Sequence, residues 1–277
     1  MGNKVASEFD EIYVRRNFLA HGEIYLRKWV DELVVVDEAR RVHEKNVGPP
    51  FLYLVNHQSC LDYFIPCYTI LKSSLPYPRS VIGKNLDNLF VRNLMWDFKK
   101  WGGILVNREK TEDKRFSEEK RKYVRALEEI FKKSESVLEF PEAGRNRSSG
   151  WGLKNFEEAF FRIVIRIQDK MFSLADKKNI YVVCMALRYD KIPERDYWER
   201  IDRNGFGSKS YYFWDLWAYT RWRYFEKQKG RAIVNFDEPV SVGELAGCGS
   251  IRERSKRFSF CVQERIEGLL NEVEKFK

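Results

Sequence analysis

This chain is poor in histidine, in paired cysteines and in long apolar runs. The three histidines are His21, His43 and His57, too few for a multi-histidine metal site. The five cysteines (Cys60, Cys67, Cys184, Cys248 and Cys261) are odd in number and show no C-x-x-C spacing. That pattern argues against a disulfide framework and against a zinc site, and it points to a reducing compartment. The longest uninterrupted apolar run is Ile180 to Leu187, well short of the roughly 18 residues that cross a bilayer. Charge begins at Lys4 with no signal-peptide core behind it, so the expectation is no secretory leader. Met1-Gly2 opens like a myristoylation site, but Ala6 stands where Ser or Thr is required. There is no internal repeat, low-complexity tract or Gly/Ser linker.

What the chain does have is charge and aromatic rings. Of 277 residues, 33% are charged and 15% aromatic, and 50 Lys and Arg against 41 Asp and Glu leave a net charge of +9. This composition folds, and it has length for a sizeable core. A basic surface suits an anionic partner: nucleic acid, a phospholipid membrane or a phosphorylated substrate. Any membrane contact is expected to be peripheral.

The periodicity predicts a helix over 8–32, with Tyr25, Leu26, Trp29, Val30 and Leu33 in helical spacing among Arg15, Arg16, Arg27 and Lys28. Short strands are expected over 33–36, 51–55, 104–106, 136–140, 181–187 and 232–236. Helices are expected over 60–71 with Pro66 in its early turns, then over 87–100, 113–133, 155–167 and 251–276. Strands alternating with helices give an α/β layered domain. The expected organisation is an N-terminal amphipathic helical segment over 1–32 followed by one domain over 33–277.

Chemistry concentrates at Asn56-His57-Gln58-Ser59-Cys60-Leu61-Asp62, directly after the apolar run Phe51–Val55. Positions i and i+5 of one helix point about 140° apart. His57 and Asp62 therefore meet only if the histidine precedes the helix and the aspartate lies in its first turn. Asp62 would then accept a hydrogen bond from His57 Nδ1, fix the tautomer and leave a general base for a hydroxyl nucleophile. The plainer reading is a structural histidine capped by a nearby carboxylate. A Cys60–His57 nucleophile is a further reading, although Cys60 lacks the flanking signature of a thiol enzyme. Eighty residues on, Phe140-Pro141-Glu142-Ala143-Gly144-Arg145-Asn146-Arg147 follows an apolar strand. Two arginines on such a loop suit bidentate phosphate binding, although basic turns in so basic a protein are often only solvated. Lys84 and Arg108 also follow strand or turn signals, and strand ends in an α/β sheet converge on one edge.

Three blocks in this order and spacing resemble the glycerolipid acyltransferase family, which includes the 1-acylglycerol-3-phosphate and glycerol-3-phosphate O-acyltransferases. They are Asn56-His57-x4-Asp62, Gly102-Gly103-Ile104-Leu105-Val106-Asn107-Arg108 and Phe140-Pro141-Glu142-Ala143-Gly144-Arg145. The strand Tyr181–Leu187 is similar to the fourth family block, and a later strand ends at Glu238-Pro239. The resemblance covers roughly residues 33–240 and implies one domain with a mixed central sheet flanked by helices. It implies that His57 deprotonates the acceptor hydroxyl and Asp62 orients it, with direct attack on an acyl-CoA or acyl-carrier-protein thioester and no acyl-enzyme. It further implies that Asn107, Arg108, Glu142, Gly144 and Arg145 form the glycerophosphate site, with Arg108 and Arg145 on the phosphate; Lys84 and Arg147 join the substrate-binding candidates as basic residues beside them. No metal and no cofactor is implied beyond the thioester co-substrate. The chain departs from the family pattern at Ala143 (usually Gly), Gly144 (usually Thr), Asn146 (usually Ser) and Cys184 (usually near a Pro). The second arginine, Arg147, is similar to the glycerol-3-phosphate branch, whereas Asn56–Cys60 is similar to the lysophosphatidate branch and the tafazzin-like transacylases.

The expected activity is acylation of 1-acylglycerol-3-phosphate to phosphatidate, with glycerol-3-phosphate or another lysophospholipid as alternative acceptor. The expected place is the cytoplasmic face of a membrane, held peripherally on anionic lipid. Residues 211–225 carry aromatics around every side of any helix they build, with Arg221 and Arg223 among them. This suits a lipid headgroup boundary, or else a tightly buried helix, and Trp29 of the basic N-terminal segment is a second candidate for lipid contact. Two other classes suit the composition: a basic nucleic-acid-binding protein, for which no recognition motif is present, and a catalytically inactive lipid-binding relative, against which the intact His57 and Asp62 speak. No nucleic-acid partner is expected.

Overall fold

In the computed structural model, the described residues are 11–83, 101–106, 114–142, 153, 155–173, 178–195 and 209–276. The apolar runs between turn signals become an eight-stranded mixed sheet. Its strands are β1 (Glu32–Val35), β2 (Phe51–Val55), β3 (Pro78–Gly83), β4 (Ile104–Val106), β5 (Ser136–Glu139), β6 (Tyr181–Tyr189), β7 (Arg231–Phe236) and β8 (Val240–Ser241). The order is β1-β7-β6-β2-β5-β3-β4, with β8 also on β6. Strands β6, β2, β5, β3 and β4 run parallel, β7 and β8 run antiparallel to β6, and β1 runs parallel to β7.

Parallel strands covered on both faces read as unbroken apolar runs, and here the period of two sorts them. Phe51, Tyr53 and Val55 of β2 join Val183, Met185, Leu187 and Tyr189 of β6 on one face. Leu52 and Leu54 join Val182, Cys184 and Ala186 on the other. The first face is covered by α1 (Glu11–Leu26), α3 (Ile65–Lys72) and the inward side chains of α6 (Lys209–Phe225). The second is covered by α4 (Lys114–Lys132), α5 (Glu158–Phe172), α7 (Val242–Ala246) and α8 (Ile251–Glu274). A short helix, α2 (Arg40–Glu44), follows β1. The helix expected over 87–100 lies outside the described residues.

Two expectations need correcting. The segment expected as one helix over 60–71 is split: a 3-10 turn spans Cys60–Tyr63, and α3 starts at Ile65 with Pro66 in its first turn. Proline fits there because the first-turn N–H groups have no helical partner. The helix expected over 8–32 ends at Leu26, and Trp29 is 1% exposed. Trp29 packs edge-on against Tyr219 at 5.5 Å, and its carbonyl accepts the Trp222 indole N–H at 2.9 Å. This residue is core and not a lipid contact. Gly22 shows how closely α1 sits on α3: a Cβ there would come within 2.6 Å of two Tyr68 ring carbons.

Strand β3 escaped the sequence reading because Pro78, Arg79, Ser80 and Gly83 dilute its apolar signal. Proline is tolerated at the first residue of a strand. Arg79 is buried by donating to Glu135 and to the Gly102 carbonyl, both at 3.2 Å.

Candidate active site

Because β2, β3, β4, β5 and β6 are parallel, the chain leaves all of them at one sheet edge, where ligands bind in open α/β sheets. The exit from β2 is shaped by Asn56. Its side-chain oxygen accepts Leu187 N–H at 2.8 Å and its amide donates to Leu187 C=O at 2.9 Å. The side chain thus continues the β2–β6 ladder for one step and frees the backbone to turn. Ser59 then caps the 3-10 turn, with Asp62 as the reciprocal member of a capping box.

This cap is what closes the five-residue gap between His57 and Asp62. The Asp62 carboxylate folds back over the turn, where its Oδ2 accepts the N–H groups of Gln58 and of Ser59 (2.8 Å). The same Oδ2 lies 2.8 Å from His57 Nδ1. Its other oxygen, Oδ1, accepts the Tyr189 hydroxyl at 2.6 Å. His57 is 3% exposed and Asp62 0%. A carboxylate this deep is tolerable because it is fully supplied with donors. An ionised carboxylate only accepts, so this contact favours the tautomer with the imidazole proton on Nδ1.

The first and third sequence blocks meet at this point. Phe140 stacks on the His57 ring at 4.2 Å with planes 22° apart, and Tyr63 meets the ring edge-on at 5.4 Å. Glu142, expected at the phosphate, is buried and accepts His57 N–H at 2.8 Å. A second buried carboxylate, Glu194, lies on the chain leaving β6. It accepts Ser59 Oγ–H at 3.0 Å and Cys60 N–H at 2.9 Å, and Tyr219 of α6 lies 2.9 Å from Ser59 Oγ. The Gln58 side-chain oxygen is also buried and has no hydrogen-bond partner among the described residues. Lys84, Asn107, Arg108, Gly144, Arg145 and Arg147 lie outside the described residues. Their sequence neighbours Gly83, Val106 and Glu142 are at or just past the ends of β3, β4 and β5, on the His57 edge.

Sequence reasoning missed Tyr189, Glu194 and Tyr219. Tyr189 was within reach: counting by twos from Val183 through Met185 and Leu187 puts it on the β2 face that leads to His57. Glu194 and Tyr219 carry no such signal, since loop and helix must fold before either meets Ser59. The hydroxyl of Tyr189 keeps its proton, because burial and the adjacent Asp62 charge push its pKa well above the usual tyrosine value. Burial raises the Cys67 thiol to about 11 and the Cys184 thiol to about 12. Among the described residues no group of three His, Cys, Asp or Glu could hold a metal ion.

Comparison with known proteins bears on the family and the fold. The Acyltransferase family model matches residues 34–188. A glycerol-3-phosphate acyltransferase of Alteromonas mediterranea is 25% identical over 76% of this chain and 24% of its own length. One from Xylella fastidiosa is 21% identical over 87% of this chain and 26% of its own. The chain thus spans about a quarter of the length of these curated relatives. The crystal structure of the 1-acyl-sn-glycerophosphate acyltransferase PlsC from Thermotoga maritima superposes with a TM-score of 0.51 at 14% identity, covering 93% of this chain and 80% of that one. This likeness is one of fold.

Proposed function

Because the chain belongs to the acyltransferase family, we propose that it transfers a fatty acyl group from a CoA or acyl-carrier-protein thioester to the free hydroxyl of 1-acylglycerol-3-phosphate, giving phosphatidate. The observation that carries this reading is the buried His57–Asp62 contact of 2.8 Å. His57 Nε2 takes the hydroxyl proton as the oxygen attacks the thioester carbonyl. Asp62 stabilises the imidazolium that forms, and the same proton is returned to the departing thiolate. The acyl group passes directly to the acceptor, with no acyl-enzyme. Arg108 and Arg145 are proposed to hold the phosphate, with Lys84, Asn107, Gly144 and Arg147 as further substrate-binding residues, and the neighbouring strand ends at the His57 edge support that role. Glu142 is proposed to act at the same edge while it fixes the His57 backbone.

Glycerol-3-phosphate is the second reading for the acceptor. The names of the matched relatives and the presence of Arg147 favour it; the Asn56–Cys60 block and an exposed apolar surface favour the lipid-borne acceptor. A panel of lysophosphatidate, glycerol-3-phosphate and a zwitterionic lysophospholipid with one acyl-CoA, read by product mass, separates them. Phosphatidate is expected as the dominant product. Dominant 1-acylglycerol-3-phosphate would establish the second reading, and acylation of neither glycerol phosphate would sink both.

A thiol nucleophile makes the opposite demand on Cys60. With His57 as base toward a substrate hydroxyl, Cys60→Ser is expected to keep turnover within about threefold, since its side chain takes no part in the chemistry. A loss of about 10³-fold or more would instead indicate an acyl-cysteine intermediate.

The same reading places the chain against anionic lipid. No helix among the described residues is long and apolar enough to cross a membrane. Helix α6 instead exposes Trp217, Tyr224 and Phe225 at 47%, 65% and 76%. Arg221 lies over the Trp217 ring and Arg223 over the Tyr224 ring. Helix α1 exposes Ile12, Tyr13, Leu19 and Ile24. Aromatics and aliphatics set among arginines suit the headgroup boundary.

A further inference from the structure

We propose that Tyr189 is a positioning residue for the His57–Asp62 pair, its hydroxyl holding one oxygen of the Asp62 carboxylate so that the other stays aimed at His57. This rests on the general-base reading above. The argument is an account of lone pairs. Asp62 Oδ2 takes His57 Nδ1–H, Gln58 N–H and Ser59 N–H. Among the described residues, Oδ1 takes the Tyr189 hydroxyl at 2.6 Å and no other donor. The carboxylate is 0% exposed and Tyr189 1%, so bulk solvent reaches neither group. Rotation of the carboxylate about its Cβ–Cγ bond would exchange the two oxygens. The phenol opposes that rotation because it is itself anchored: Tyr189 is the last residue of β6 and pairs with Ala232 of β7. Its raised pKa keeps the hydroxyl a donor at every working pH.

The same strand reaches the turn from a second direction. Five residues past Tyr189, Glu194 holds Ser59 Oγ–H and Cys60 N–H. The exit of β6 therefore grips both ends of the Ser59–Asp62 capping box. Of the two contacts, that of Tyr189 falls on the carboxylate that touches the base.

The test compares Tyr189→Phe with His57→Ala in steady-state turnover of an acyl-CoA and the best acceptor from the panel. The resonance of the His57 Nδ1 proton is followed by NMR in wild type and in Tyr189→Phe. Tyr189→Phe is expected to lower kcat about tenfold, as loss of one hydrogen bond to a charged group gives, with both KM values within about twofold. The Nδ1 proton resonance is expected to shift or broaden. A lower melting temperature with unchanged kcat and an unmoved resonance would show a purely structural tyrosine and overturn the proposal. Should Tyr189→Phe not accumulate, Tyr189→3-fluorotyrosine keeps shape and hydroxyl while strengthening the donor. An unmoved resonance in that variant overturns the proposal equally. If His57→Ala retains turnover, the general-base reading falls and takes the kinetic role of Tyr189 with it. If His57→Ala is inactive while Tyr189→Phe matches wild type, only the present inference falls.

Discussion

His57→Ala is expected to lower kcat by about 10²- to 10⁴-fold, the usual contribution of a positioned general base, while leaving a folded protein. The second half of that statement follows from which bonds survive. Glu142 accepts the main-chain N–H of residue 57, which alanine retains. Asp62 keeps Gln58 N–H, Ser59 N–H and the Tyr189 hydroxyl, so its buried charge stays compensated. The ring lost from the face of Phe140 leaves a gap that costs about 1–3 kcal/mol. Asp62→Ala is a poorer probe. It removes the reciprocal half of the capping box and strands the Tyr189 hydroxyl and two N–H groups without their carboxylate, so activity and stability fall together. Thioester cleavage, followed with a chromogenic thiol reagent and set beside circular-dichroism melts, separates the cases. Turnover of His57→Ala within about threefold of wild type would end the general-base reading.

The His57–Asp62 encounter was legible in the sequence because it is local. A strand, an Asn, then Ser59 three residues before Asp62 is a strand exit followed by an N-terminal capping pattern. The sheet was legible where its strands are purely apolar, as in Phe51–Val55 and Tyr181–Leu187. It was not legible at Pro78–Gly83, where the ion pair of Arg79 with Glu135 compensates a charge that sequence pattern alone would place outside. Tyr219 is the opposite limit. Residues 211–225 carry aromatics on all sides, and periodicity cannot say which of them faces inward. Only the docking of α6 onto Trp29 distinguishes buried Tyr219 and Trp222 from exposed Trp217, Tyr224 and Phe225. The candidate site is thus half local pattern and half long-range assembly, and the long-range half comes from β6 and α6.

That docking gives a second large effect, and it divides the aromatic residues into two classes with opposite phenotypes. Trp29→Ala is expected to destabilise the fold by about 3–5 kcal/mol, as loss of a fully buried indole does. The melting temperature should drop on the order of 10 °C in a chain of this size. Turnover should fall with it, because Trp29 supports Tyr219, whose hydroxyl lies 2.9 Å from Ser59 Oγ and 3.1 Å from Cys60 N in the His57–Asp62 turn. The triple change Trp217→Ser, Tyr224→Ser and Phe225→Ser should do the reverse. These side chains are 47–76% exposed. The melting temperature should stay within a few degrees, roughly the scatter expected of surface changes. Flotation with vesicles containing anionic lipid should drop severalfold, and activity on acceptor presented in those vesicles should drop with it. Activity on acceptor dispersed in detergent should be retained, because the bonds within the His57–Asp62 turn are untouched. Unchanged flotation of the triple variant would remove α6 from the lipid-facing surface. A stable, fully active Trp29→Ala with weakened flotation would return that indole to the role the sequence first suggested, and would contradict its packing against Tyr219.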